Sequence, residues 1–352
     1  MVLDVVLLLF AFIVILIGAE LFTNGIEWFG RKLELAEGAV GSVLAAVGTA
    51  LPETMIPVIA ILFSGTASAE EVGVGAILGA PFMLATLAMF VTGAAVLAVA
   101  RRRPEGDVMR VDTKVLGYDV RTFAIAYALA IGAAFLPPDL APARWAAAAI
   151  LLGIYAWYVK AHFDADPTMH EDELAPLRFH RADRRGHRVD PAVPRLRIVG
   201  VQVIVALAFI IGGAYAFVGS IERLADELGV AQALLALVIA PIATELPEKF
   251  NSVIWVRQGK DTLAMGNITG AMVFQSTIPT VIALVFAGSA WAVTEDSWLA
   301  FLSAGIALIS AAVIFMPMAR SGRLTGRRLL VGGVFYTGYL GVVLAQLFGL
   351  IG

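Results

Sequence analysis

Ala240-Pro241-Ile242-Ala243-Thr244-Glu245-Leu246-Pro247, followed at once by Glu248-Lys249, places two acids and a base inside an otherwise apolar run. A near copy, Gly48-Thr49-Ala50-Leu51-Pro52-Glu53, lies in the second apolar run of the chain, also far from any loop. An ionisable residue at the middle of a membrane helix costs about 2.5–3.5 kcal/mol on insertion scales, which makes each of these residues a functional candidate.

Around these stretches the 352-residue chain is 60% hydrophobic and 15% charged, the profile of a polytopic membrane protein and not of a soluble globular one. The absence of cysteine excludes a disulfide framework and any Cys-based metal or nucleophile site. Apolar runs at about 4–29, 36–64, 72–100, 121–137, 143–163, 196–221, 229–257, 262–290, 297–318 and 328–350 predict ten transmembrane helices, the fourth of them short. Alternate loops hold 22 Lys and Arg residues, against Arg144 and Arg223 in the other set, with Lys249 inside the membrane. The basic set is cytoplasmic by the positive-inside rule, so both termini are expected outside. All six tryptophans (Trp28, Trp145, Trp157, Trp255, Trp291, Trp298) fall near helix ends, as an interfacial belt requires. Met1-Val2-Leu3-Asp4 lacks the basic flank of a cleavable signal, so the first helix is expected to stay in the fold.

One sizeable polar segment, about 164–195, contains Pro167, Pro176, Pro191 and Pro194 with mixed charges and reads as a solvated cytoplasmic linker between two halves, 1–163 and 196–352. All four histidines (His162, His170, His180, His187) lie in or beside it, at spacings that match no recognised metal motif. The halves repeat. An offset of 195 residues carries Gly18, Ala19, Phe22, Ile26 and Glu27 onto Gly213, Ala214, Phe217, Ile221 and Glu222, and Thr49, Leu51, Pro52 and Glu53 onto Thr244, Leu246, Pro247 and Glu248. An offset of 191 then carries Gly75, Gly79, Ala80 and Thr86 onto Gly266, Gly270, Ala271 and Thr277. Five helices per half is an odd number, so the second half enters from the opposite side and the repeats are inverted, the plan of many alternating-access transporters.

Proline inside a membrane helix removes a backbone bond, and here Pro52 releases the carbonyl of Gly48 while Pro247 releases that of Ala243. Such carbonyls survive at membrane depth only where protein or a wet cavity satisfies them. Thr49 and Glu53 are four apart, as are Thr244 and Glu248, so each hydroxyl shares a helical face with a carboxylate. Brought together by the pseudo-twofold axis, these groups make an all-oxygen cage of the kind calcium takes and magnesium resists. The bland alternative at each motif is a kink with a satisfied buried acid.

These residues resemble the cation/calcium exchanger superfamily, whose repeats carry Gly-Thr-Ser-x-Pro-Glu followed by Gly-Asn-x-x-Gly-Ser-Asn. The counterparts are Gly48–Glu53 with Gly75-Ala76-Ile77-Leu78-Gly79-Ala80-Pro81, and Ala243–Glu248 with Gly266-Asn267-Ile268-Thr269-Gly270-Ala271-Met272. The resemblance implies an all-α membrane protein, an antiporter and not an enzyme, in which Glu53 and Glu248 are the central calcium carboxylates. Thr49, Thr244 and Asn267 would add oxygens, and helices one and six would slide against the other eight. Glu245 is a further ligand candidate, and Glu20, Gln275 and Ser276 are path candidates. Ala50 and Glu245 replace the usual serines, and Ala76 and Ala80 replace an Asn and a Ser, so oxygens for flanking sodium sites are missing. Lys249, four residues after Glu245, reads either as an ion-pair partner or as a tethered or proton-exchanging cation in place of sodium. The expected transported ions are calcium with sodium or protons, with no cofactor. The expected partners are the lipid bilayer of a prokaryotic plasma membrane and inorganic cations, not nucleic acid. A non-transporting or channel-like relative and an antiporter for another cation are the competing expectations.

Overall fold

The computed structural model describes residues 2–36, 38–63, 67–137, 140–165, 174–182, 194–228, 246–295, 297–348 and 350. Ala243, Thr244, Glu245 and most of the run 229–257 lie outside them, as do His170 and His187.

The chain opens with α1 (Val2–Lys32), then a π-helical stretch (Ala39–Ala45) that runs into α2 (Ala46–Thr49), α3 (Leu51–Phe63), α4 (Ala67–Met83), a second π-helical stretch (Leu84–Ala88) and α5 (Met89–Val99). It continues with α6 (Thr113–Ala133), α7 (Ala141–Phe163), α8 (Leu196–Leu228), α9 (Leu246–Arg257), α10 (Asp261–Phe286), α11 (Trp298–Ser321), α12 (Gly326–Leu329) and α13 (Val331–Leu347). A two-residue antiparallel ladder, β1 (Val108–Met109) on β2 (Leu324–Thr325), ties the connection before α6 to the one after α11.

Among the described residues, eight helical stretches are long and apolar enough to cross a bilayer. The other two apolar runs are the motif-bearing ones: the first is divided into α2 and α3, and the described part of the second is α9. The fourth span is not short. Asp112 caps α6 by accepting from the Lys114 and Val115 amides at 2.8 and 3.2 Å, so the helix starts at Thr113 and takes in Lys114 and Asp119, which the hydropathy reading leaves in the loop.

α10 is the central post, buried along nearly its whole length against α6, α7, α9, α4 and the first π stretch. Gly266 and Gly270 allow this. A Cβ on Gly270 would sit 2.0 Å from the Ser42 carbonyl oxygen, and one on Gly266 would sit 2.8 Å from Ser42 Oγ, so only glycine permits the crossing. α1 and α8 run antiparallel and pack along their length, with Gly18 against Ile210 and Gly213 against Ile15. Lipid-facing surfaces of α1, α7 and α13 leave Phe10, Ile13, Ile150, Trp157 and Val334 exposed.

Two expectations need correction. Trp145 and Trp157 are exposed as a belt demands, but Trp28, Trp255 and Trp291 are buried, because each indole N–H finds a partner inside: the Ala175 carbonyl, Glu27 Oε1 and the Ala130 carbonyl. The linker is not solvated throughout. Residues 174–182 lie along α1 and α8, where Leu177 is buried between Trp28 and Val199. Asn24 and Trp28 donate to the Ala175 carbonyl, Asn24 Oδ1 accepts from the Arg178 amide, and Gln202 Oε1 accepts from the Phe179 amide.

Candidate cation site

α2 ends at Thr49 and α3 begins at Leu51, with Ala50 between them at φ −79° and ψ −1°. Pro52 stands at the second position of α3; i→i−4 bonds from the Ala50 amide to Ala46 and from the Thr54 amide to Ala50, both 3.1 Å, pass on either side of it, and its missing N–H leaves the Gly48 carbonyl without that bond. The break therefore falls inside the motif and leaves one of its two oxygen side chains on each side.

Thr49 is fully buried, and its hydroxyl lies 3.0 Å from the Ala45 carbonyl and 3.2 Å from Asn267 Oδ1. Glu53 is buried on the other side, where Oε1 accepts from Gln275 Nε2 at 3.3 Å. The same Gln275 amide reaches Thr54 Oγ1 at 3.0 Å and the Ala50 carbonyl at 3.4 Å. α10 thus sets Asn267 against the end of α2 and Gln275 against the start of α3. The Glu53 carboxylate, the Thr49 and Thr54 hydroxyls, the Asn267 amide oxygen and the Ala50 carbonyl gather around the helix break, hard oxygen donors of the kind calcium takes, with the Gln275 amide N–H groups bonded among them.

Of the other candidates, Glu248 is the third residue of α9 and Lys249 beside it is buried. Asn251 of α9 accepts from the Thr23 hydroxyl of α1 at 2.8 Å, and Ser252 donates to the Ala264 carbonyl at 3.1 Å. Gly48 packs on Phe22, whose ring a Cβ would approach to 2.7 Å. Ser276 donates within its own helix, to the Val273 carbonyl at 3.0 Å. Glu20 instead pairs with Arg178 of the linker at 2.8 Å, with both side chains more than half exposed. Thr244, Glu245 and Ala243 fall outside the described residues.

A second buried polar cluster went unannounced in the sequence. Asp119 of α6 is fully buried; its Oδ2 accepts from Ser42 at 2.8 Å and Thr269 at 2.6 Å, and its Oδ1 lies 2.9 Å from the Tyr158 hydroxyl and 3.1 Å from His162 Nε2. His162 lies beside the linker, buried in the last turn of α7. The available signal was the spacing of Tyr158 and His162, four apart on one helix face. Glu27 was also missed as a contact: it accepts from Trp255 and pairs with Lys260, joining α1 to α9 and the turn after it.

This architecture is that of a multi-pass, helical membrane protein. The family model for the sodium/calcium exchanger protein matches residues 3–162 and 198–348, and the chain belongs to that family of membrane antiporters, which are not enzymes. A relative described as "Putative antiporter CaxA" of Alkalimonas amylolytica is 24% identical over 344 residues, covering 94% of this chain and 96% of that protein. Structures of the sodium-calcium exchanger NCX_Mj soaked with zero Na+ and Ca2+, and with 2.5 mM Na+ and 1 mM Sr2+, superpose with TM-scores of 0.71 and 0.72 at 16% identity over 97% of this chain. They cover 99% and 98% of those chains and establish a shared fold.

Proposed function

We propose that the protein exports calcium across the prokaryotic plasma membrane in exchange for protons or sodium, by alternating access. The observation that carries this is the helix break at Ala50, with buried Thr49 and Glu53 flanking it and Asn267 and Gln275 facing them from α10. Calcium would be held by Glu53, Glu248, Thr49, Thr244 and Asn267, with Glu245 as a further oxygen source and the carbonyls of Gly48 and Ala243 released by the prolines. Ten spans in two inverted halves, 1–163 and 196–352, joined by the linker 164–195 and with both termini outside, form the frame of this reading. The reciprocal packing of Gly18 on Ile210 and Gly213 on Ile15 supports the inversion, because the offset of 195 carries each contact onto the other. α1 and α8 are the sliding pair.

Protons are the favoured counter-ion. Ala50, Ala76 and Ala80 withhold sodium ligands, while Lys249 puts a titratable group beside Glu248 inside the protein. Calcium binding to the carboxylates would displace the Lys249 side chain from them, linking calcium entry to a change at a second cationic group. The test is calcium uptake into inverted vesicles under imposed pH or sodium gradients. Wild type responds to the pH gradient, Glu53→Gln and Glu248→Gln are inserted but inactive, and Lys249→Met loses the pH response. A sodium gradient at clamped pH driving full flux, with Lys249→Met unaffected, refutes the proton assignment.

A further inference from the structure

The Asp119 cluster lies apart from the cation ligands but grips the two pieces of backbone that carry them. Ser42 belongs to the π stretch that runs straight into α2 and Thr49, and Thr269 follows Asn267 by two residues on α10. One oxygen of Asp119 accepts from both hydroxyls and so staples these elements together, at the place where Gly266 and Gly270 bring α10 onto the Ser42 backbone. Charge-assisted bonds of this kind are roughly twice as strong as neutral ones, so the staple is firmest on an ionised carboxylate.

His162 supplies the balancing charge. Its Nε2 lies 3.1 Å from Asp119 Oδ1 and its Nδ1 lies 3.0 Å from the Tyr158 carbonyl oxygen. Both ring nitrogens face acceptors, and only an imidazolium donates to both; a neutral ring sets a lone pair against an oxygen. The other titratable groups that face the pair are Tyr118 and Tyr158, with Tyr155 stacked on Tyr158, while the π stretch and α10 present the hydroxyls of Ser42 and Thr269.

We infer that Asp119 and His162 form a proton-binding site at the cytoplasmic end of α6 and α7, and that Asp119 is a positioning residue which fixes Asn267 against Thr49 while His162 holds its proton. The inference rests on the proposed exchange of calcium at that site. Loss of the His162 proton loosens the staple and lowers the affinity for calcium from the cytoplasm, without removing a ligand.

The experiment measures the KM and maximal rate of calcium uptake in inverted vesicles between about pH 6 and about pH 8, the range in which histidine titrates. Asp119→Asn raises KM by about tenfold with little change in maximal rate. His162→Gln, which keeps a donor but cannot titrate, removes the part of the KM profile that tracks histidine. Hydrogen exchange of the amides in 38–49 and 262–272, read in detergent without calcium, speeds up in Asp119→Asn. Should Asp119→Asn fail to insert, Ser42→Ala and Thr269→Val, which each delete one hydroxyl, give the same two readouts. Unchanged KM and unchanged exchange in the folded variants overturn the staple, as does a wild-type pH profile reproduced by His162→Gln. A wild type that moves no calcium refutes the exchange reading, and the exchange measurement still decides the staple.

Discussion

Replacing Gly270 with alanine tests the crossing on which the site depends. The new methyl carbon would lie 2.0 Å from the Ser42 carbonyl oxygen and 2.5 Å from its carbonyl carbon and Cα, all backbone atoms that no rotamer change can clear. Ordinary contact begins at 3.4 Å, so α10 and the π stretch must part by about 1.4 Å. Overpacking of this kind costs about 1–3 kcal/mol, against which alanine recovers up to about 1 kcal/mol of helix propensity. A displacement of that size, carried one turn along α10, takes the 3.2 Å contact between Thr49 and Asn267 beyond hydrogen-bond range. Loss of one ligand contact worth about 1.4 kcal/mol is a tenfold fall in calcium affinity. Gly305→Ala on α11 is the control, since no described atom lies within 4 Å of a Cβ there, and it should be neutral or stabilising. The assay is thermal unfolding in detergent beside calcium uptake in proteoliposomes. Gly270→Ala should melt below both wild type and Gly305→Ala and show the raised KM; a variant matching wild type in melting point and KM refutes the reasoning.

Two further expectations concern the frame. Asp261 is buried, pairs with Arg103 and accepts from the Arg110 amide at 2.7 Å, so Asp261→Asn strands a mostly buried guanidinium and should cost about 3–5 kcal/mol; an unchanged unfolding midpoint contradicts this. Tags at either terminus should be reached from outside the cell, and Glu105→Cys, in a chain with no other cysteine, should be labelled only from inside. Protection of both termini would sink the proposed orientation.

Composition and apolar run length were enough to show a helical membrane protein, because a bilayer forces backbone bonding within each span and leaves that period in the sequence. The break at Ala50 was legible for a related reason: a proline and an acid in an apolar run cannot be accommodated silently. Asp119 and His162 were not legible, since charges near a helix end look like loop residues until neighbours from α7, α10 and the π stretch close around them. The same blindness shortened the fourth span, whose true start is set by the Asp112 cap and not by hydropathy. Trp255 and Trp291 misled for the converse reason: a run end in the sequence says where an indole sits along the normal, not whether protein or lipid surrounds it. Gly266 and Gly270 stood out as a repeat, but their purpose came only from the Ser42 backbone pressed against them.

The segment 174–182 holds Asn24 and Trp28 of one helix and Gln202 of the other through its own backbone. If α1 and α8 slide as proposed, this segment would move with them and not with the frame. A connection anchored to the stationary helices would act as a tether, limiting the stroke by its length. On the proposed motion, one fastened to both sliding helices would travel with them and splint them into a single carriage, so residues 174–182 would stiffen the part that moves.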